Sequence, residues 1–285
     1  MGSQFLWGLA MTYLNWLVSV DALGSRLDES GLVLLDASMP PPGSTPDPSQ
    51  PINTIKNARR FDIDTEFSDT AQAFPHMLPS PDVFSQKAQA LGINNDSTIV
   101  VFDNQGMFSA PRAWWMFRAM GHDKVLILDG GMPAWQQAGF ECDTEYHQAE
   151  HKGNFVARLQ TGWFVAMNDI EKATRGEAIT VVDARSADRF YSRVDEPRPG
   201  IRRGNIPSSI NLPFDQVLIQ GHYKSSADIE QEFKSLGINK NDELYFSCGS
   251  GVTACIDAVA ARLCGFEKVS VYDGSWCEWA SCKSE

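Results

Sequence analysis

Leu244-Tyr245-Phe246-Ser247-Cys248-Gly249-Ser250-Gly251-Val252-Thr253-Ala254 passes from a β-leaning, alternating run to a helix-compatible one that continues through Leu263. The pattern predicts a strand ending at Ser247, a tight loop, and a helix. A loop closing onto a helix start aims several backbone N–H groups at one point, with the positive end of the helix dipole behind them. Glycine at 249 and 251 permits the curl because it tolerates positive φ. A sulfur held there is stabilised as the nucleophilic thiolate, and so is the terminal sulfur of a persulfide built on it. Cys248 is therefore the candidate nucleophile.

A free cysteine is more often a small buried apolar side chain. The place of Cys248 between a strand end and a Gly-x-Gly turn argues for chemistry instead. Cysteine phosphatase loops have a similar layout, but they need an arginine six residues after the cysteine to hold phosphate, and position 254 is alanine.

The run Cys248-Gly249-Ser250-Gly251-Val252-Thr253 resembles the active loop of the 3-mercaptopyruvate sulfurtransferases, a group within the rhodanese superfamily. Thiosulfate-using rhodaneses carry two basic residues after the cysteine, where this chain has Gly249 and Ser250. On that resemblance the neutral pair sets the choice of sulfur donor, and the loop does so without involving the arginines described below.

At 285 residues the chain is comfortable for two domains, and a hydrophobic content of 43% is ordinary for a globular protein. A net charge of −12 disfavours nucleic acid and anionic membrane as partners. An anionic substrate would need a local positive site against that background. The six cysteines, at 142, 248, 255, 264, 277 and 282, form no C-x-x-C pair and suggest no zinc spacing with histidine, so no metal is expected. A nucleophilic thiol fits a reducing compartment, and cytoplasmic location is the expectation. The first twenty residues are apolar around Phe5-Leu6-Trp7 and Trp16-Leu17-Val18 but lack the Lys or Arg of a signal peptide, and Gln4, Thr12, Tyr13 and Asn15 interrupt the run, so a soluble protein with an atypical N-terminus is expected.

Comparing the chain with itself settles the domain count. Leu91-Gly92-Ile93-Asn94 recurs as Leu236-Gly237-Ile238-Asn239, 145 residues later, and the same offset places Asp103 on Cys248 and Gly106 on Gly251. Asp129-Gly130 and Trp135 match Asp273-Gly274 and Trp279, and Leu35-Asp36-Ala37 matches Val182-Asp183-Ala184, at nearly that offset. Each copy reads strand (Val33 to Asp36; Ile179 to Asp183), helix, strand (Thr98 to Phe102; Glu243 to Ser247), loop, helix and short strand (Val125 to Leu128; Val269 to Tyr272). The expectation is an α/β protein of two tandem rhodanese-like domains, each a mainly parallel sheet flanked by helices. Residues 17–146 form the non-catalytic copy, with Asp103 at the nucleophile position, and residues 160–282 the catalytic one. A polar linker is expected within Glu145 to Leu159, and Met39 to Pro51 reads as a proline-rich surface excursion.

Other candidates follow from position and resemblance. Phe61-Asp62-Ile63-Asp64 and Pro75-His76-Met77 resemble the family segment that sets an Asp and a His beside the loop serine. The resemblance implies that Asp64 orients His76 and that His76 hydrogen-bonds Ser250, much as in a serine hydrolase. Arg112 suits either the cleft or a structural ion pair. Six of the 24 basic residues, all Arg, stand between Arg185 and Arg203. Guanidinium groups grip carboxylates with paired hydrogen bonds. Arg185, Arg202 and Arg203 read as structural salt bridges, whereas Arg189 and Arg198 correspond to the substrate-binding arginines of the family. Gly249, Gly251, Val252 and Thr253 complete the implied substrate loop. Cys255, Cys264 and Cys282 read as packing thiols, and Cys277 lies in a stretch expected to be a loop near the cleft.

The resemblance implies 3-mercaptopyruvate as donor, a Cys248 persulfide as intermediate, and a thiol, thioredoxin or cyanide as acceptor, with pyruvate released and no metal or organic cofactor. The alternatives are a thiosulfate:cyanide sulfurtransferase and a non-enzymatic sulfur carrier or scaffold.

Overall fold

The computed structural model describes residues 16–40, 44 and 51–283, so the apolar N-terminal residues 1–15 and most of the proline-rich 39–51 stretch lie outside it. Two five-stranded sheets carry the fold. The first runs Leu17–Val18, Val125–Leu128, Thr98–Phe102, Leu32–Asp36, Arg59–Arg60, with every neighbouring pair parallel. The second runs Phe164–Val165, Val269–Tyr272, Glu243–Ser247, Ile179–Asp183, Ile210–Asn211, again parallel throughout. The strand order is the same in both, as a duplication requires. Central strands such as Thr-Ile-Val-Val-Phe at 98–102 are unbroken apolar runs because helices cover both of their faces.

Parallel strands end at one edge of their sheet, and α/β proteins place their sites just beyond such edges. Asp103 follows the strand Thr98–Phe102, and Cys248 follows Glu243–Ser247. The helices after them, Ala110–Ala119 and Ala254–Leu263, are apolar nearly all round because they pack against each other as well as against their own sheets. Trp114, Trp115, Val252 and Ile256 share one continuous core. Trp115 Nε1 donates to the Trp163 carbonyl at 2.9 Å, which ties the first copy to the start of the second. Among the described residues no helix is long and apolar enough to cross a membrane.

The segment expected as a polar linker is bound down along its length. Phe155 is buried among Phe84, Phe117 and His122. Asn95 donates to the side-chain and backbone oxygens of Asn154, Asn154 N–H donates to Asn94 Oδ1, and Gly153, Phe155 and Arg158 donate backbone N–H groups to the first domain. Its polar composition disguised a strap anchored by one aromatic side chain.

Candidate active site

The strand Glu243–Ser247 and the helix Ala254–Leu263 bracket the cysteine loop where the sequence pattern places them. Cys248 is 2% exposed. Its N–H donates to Ser275 Oγ at 3.2 Å, and the carbonyls of Cys248 and Gly249 accept from Trp276 N and Cys277 N, each at 3.0 Å. The first turn of the helix Ser275–Cys282 thus braces the loop from behind. Cys277, expected in a loop, lies on this helix and is buried, because the turn after Asp273 is shorter than the Gly-Ser pair suggests. Ser275 holds φ at 50°, and its hydroxyl repays that strain by bridging Cys248 N and the Tyr272 carbonyl.

The first copy shows what such a curl offers an anion. Asp103 accepts backbone N–H groups from Gln105, Phe108, Ser109 and Ala110 at 2.8 to 2.9 Å, so its own carboxylate fills the nest. His222 and Gly221 of the second copy close over that loop, His222 pairing with Asp129 at 3.2 Å. Around Cys248 the first copy returns the favour with the segment bearing His76.

There the structure brings together the three residues that resemblance linked. His76 Nδ1 lies 2.9 Å from Ser250 Oγ, and Nε2 lies 2.8 Å from Asp64 Oδ1. Hydrogen bonding to His76 holds the Asp64 carboxyl below its ordinary value against partial burial, and the charges of Arg60 and Arg198 act in the same direction. Asp64 therefore stabilises the folded protein above the usual carboxylate range, a contribution lost as pH falls through its lowered value. His76 is in turn positioned by Arg112, whose Nη2 donates to the His76 carbonyl at 2.6 Å and to Asp273 Oδ1 at 2.7 Å, while Nη1 reaches the Gly251 carbonyl at 3.3 Å. Arg112 is the structural ion pair of its two readings, and one guanidinium fastens both halves of the site.

A cavity of about 510 Å³ opens over Cys248. Gly249, Ser250, Val252 and Thr253 line it, with Asp64, His76, Arg189 and Arg198. Gly251 makes the turn beneath them at φ 77°, where a Cβ would come 2.8 Å from the Asp273 carbonyl. Arg189 bonds Glu196 through Nη2 at 2.6 Å. Glu196 also binds Arg185, a fully buried guanidinium that pairs with Asp183 at 2.7 Å and touches the cavity. Arg203 pairs with Asp195, as its structural reading expects. Arg202 is likewise held structurally: its guanidinium bonds the Ala280 and Lys283 carbonyls and lies over Trp276. Glu196 pairs with these arginines as their salt-bridge reading expects, but its side chain is nearly buried and steers two of them, Arg185 and Arg189.

Gly249 corrects one expectation. A Cβ at 249 would lie 2.9 Å from Arg189 Nη2, so the loop and the arginine pair are not independent. Any side chain at 249 displaces Arg189. The remaining thiols are unlike Cys248 in setting. Cys255 is wholly buried, donates to the Gly251 carbonyl, and is pushed up to about 12 by burial, and burial takes Cys264 up to about 11.

The rhodanese-like domain model matches residues 19–138 and again 166–282. The chain is 36% identical to the 3-mercaptopyruvate sulfurtransferase of Escherichia coli K12 over 270 residues, covering 94% of this chain and 95% of that protein. It is 37% identical to the thiosulfate sulfurtransferase of Gallus gallus over 277 residues, covering 95% of this chain and 93% of that one. The crystal structure of Escherichia coli SseA, described as a 3-mercaptopyruvate sulfotransferase of rhodanese fold, superposes with a TM-score of 0.84 at 34% identity, covering 92% of this chain and 99% of that chain. With both copies matched and the whole length shared, the chain belongs to the rhodanese family of sulfurtransferases, in its tandem-domain form.

Proposed function

We propose that the chain is a 3-mercaptopyruvate sulfurtransferase that carries sulfur as a persulfide on Cys248 and releases pyruvate. The observation that carries this is the Asp64–His76–Ser250 chain of hydrogen bonds, delivered by the first domain into the cavity that also holds Arg189 and Arg198. The donor carboxylate sits on Arg189 and Arg198, with its sulfur against Cys248. The Cys248 thiolate attacks that sulfur, the C–S bond breaks, and its electron pair leaves as the enolate of pyruvate. Charge gathers on the keto oxygen, where a positioned donor lowers the barrier most. The Ser250 hydroxyl is that donor, and His76, held by Asp64, replenishes its proton. A thiol acceptor then takes the outer sulfur. Cysteine, hydroxyl, imidazole and guanidinium complete the chemistry without metal or organic cofactor, and a reducing compartment such as the cytoplasm suits it.

Whole-chain identity does not choose the donor, since relatives named for 3-mercaptopyruvate and for thiosulfate are equally similar. The loop does. Thiosulfate is a compact dianion, and Gly249 and Ser250 add no cation of their own to the Arg189 and Arg198 guanidiniums that already lie beside Gly249. The deciding experiment measures pyruvate release from 3-mercaptopyruvate beside thiocyanate formation from thiosulfate and cyanide. Faster turnover of thiosulfate would overturn the assignment.

Two predictions arise here. Arg189→Ala and Arg198→Ala each lower kcat/KM for 3-mercaptopyruvate by about 2 to 3 kcal/mol, the size of a charge-assisted contact, and Arg→Lys recovers only part. Unchanged kinetics in both alanine variants would place the carboxylate elsewhere. Gly249→Ala alone costs about tenfold with 3-mercaptopyruvate because its Cβ moves Arg189. Gly249→Arg with Ser250→Lys lowers that activity further and raises use of thiosulfate, both read with cyanide as acceptor. A parallel fall with both donors would show that the loop charges do not set specificity.

A further inference from the structure

Arg185, Arg189 and Arg198 line the cavity over Cys248, and the first two have their charge committed. Arg185 pairs with Asp183 at 2.7 Å and with Glu196 at 2.8 Å, and Arg189 pairs with Glu196 at 2.6 Å. Arg198 forms no ion pair with a carboxylate among the described residues, and Asp64 acts on it through charge alone, without a hydrogen bond. A donor carboxylate reaching Arg189 must share it with Glu196, whereas Arg198 offers a full charge. That freedom has a cost, because a long side chain with no anchor loses rotamer freedom when a ligand fixes it. The chain around Arg198 gives little support, since Pro197, Pro199 and Gly200 are all exposed.

The anchor is Cys277. The helix Ser275–Cys282 carries it in the first turn, where its N–H donates to the Gly249 carbonyl at 3.0 Å. Arg198 Nη1 stands 4.0 Å from the point that a Cβ on Gly249 would occupy. Gly249 thus keeps the two residues close, and the Cys277 sulfur lies in hydrogen-bonding reach of the Arg198 guanidinium. Cys277 is 2% exposed. Burial pushes its thiol up, with Cys248 and Glu196 acting in the same direction and Arg198 against them, so the sulfur is an uncharged acceptor at neutral pH. A carboxylate in its place would grip Arg198 more firmly but would cancel its charge. A thiol sulfur is a weak acceptor, which restrains the guanidinium and leaves the charge to the ligand.

We propose that Cys277 is a positioning residue for the donor half-reaction, an uncharged anchor that holds Arg198 over Cys248 while leaving its charge free for the donor carboxylate. The proposal rests on the sulfurtransferase reading above. Cys277 does not line the cavity, so it acts through Arg198 and not on the donor itself.

The test compares Cys277→Ser, Cys277→Val and Cys277→Asp in the full-length protein. Cys277→Val, close in size but without an acceptor, should raise KM for 3-mercaptopyruvate about fivefold with kcat little changed, and Cys277→Ser should recover most of that loss. Cys277→Asp should raise KM about thirtyfold, because Arg198 is then neutralised by a charged partner. A merely structural role would not separate serine from valine in KM while sparing kcat. Transfer to cyanide from a Cys248 persulfide loaded with inorganic polysulfide needs no donor carboxylate and should match the wild type in Cys277→Val.

Alkylation of Cys248 by iodoacetate and by iodoacetamide keeps the proposal separate from the choice of donor. Both reagents need the thiolate, and they differ in a carboxylate against a neutral amide, so their rate ratio reads the free positive charge beside the sulfur. The ratio of iodoacetate to iodoacetamide should fall about threefold in Cys277→Val and about tenfold in Cys277→Asp. Those falls in a wild-type background that does not turn over 3-mercaptopyruvate would overturn the donor assignment and uphold Cys277 as the anchor of Arg198. If Cys277→Asp does not fold, the comparison of Cys277→Val with Cys277→Ser decides. Equal KM values and equal alkylation ratios in Cys277→Val and the wild type would overturn the proposal. So would a loss of kcat in Cys277→Val that is shared by transfer to cyanide.

Discussion

Replacing Cys248 by serine abolishes persulfide formation and lowers pyruvate release by at least about 10³-fold, as expected when the nucleophile itself is removed. The reason is positional as well as chemical. Cys248 alone among the six cysteines stands at the end of a central parallel strand, within a loop whose carbonyls and N–H are held by the helix Ser275–Cys282. Cys255 stands in the first turn of the helix that follows the loop, yet burial raises its thiol to about 12 and its proton is committed to the Gly251 carbonyl. Cys255→Ala and Cys264→Ala should therefore keep substantial turnover. Intact-mass measurement after exposure to 3-mercaptopyruvate should find one added sulfur on the wild type and none on Cys248→Ser. An added sulfur that survives the Cys248 substitution would place the nucleophile elsewhere.

Replacing Asp273 by asparagine destabilises the protein by about 3 to 5 kcal/mol, because it leaves a buried guanidinium without its counter-charge. Arg112 is fully buried. Burial works against its charge, and Asp273, with the Cys255 sulfur beside it, more than offsets that opposition. Asp273 also accepts the Leu78 N–H at 2.7 Å, so the same substitution loosens the segment that carries His76. Arg112→Met should cost less, since Asp273 keeps Leu78 and some contact with solvent. The double variant Arg112→Met with Asp273→Asn should be more stable than Asp273→Asn alone, as removing both charges removes the orphan. Its activity should nevertheless stay low, because nothing then holds the His76 carbonyl. Urea unfolding midpoints checked against turnover test this. A double variant no more stable than Asp273→Asn would show that the ion pair is not what secures the interface.

Much of this was legible in the linear sequence because it depends on short-range periodicity and on repetition. The β-branched runs at 98–102 and 179–183 are too continuous for anything but a doubly covered parallel strand. The offset that lays Asp103 on Cys248 identifies the working copy without any coordinates. The pairing of Asp64 with His76 was different in kind: it came from resemblance, since twelve residues separate the two and nothing in their spacing requires contact.

What local pattern cannot express is which groups from the two copies converge, since contact between positions far apart in sequence depends on how two sheets pack. His76 meets Ser250 across 174 residues and Arg112 meets Asp273 across 161. Arg112 reads as either a pocket cation or a structural one until its burial is known. Phe155 in a polar stretch and Glu196 among arginines both look solvent-facing until the surfaces that cover them are in place. Gly249 is the clearest case. Its sequence meaning is the absence of a charge beside the nucleophile, but its spatial meaning is the absence of a Cβ beneath Arg189. The sequence by itself determined two tandem parallel-sheet domains and one nucleophile, because strand periodicity and the residue at the strand end are local. Only the tertiary structure decided that loop and arginine act as one unit, because that depends on steric exclusion between segments brought together by packing.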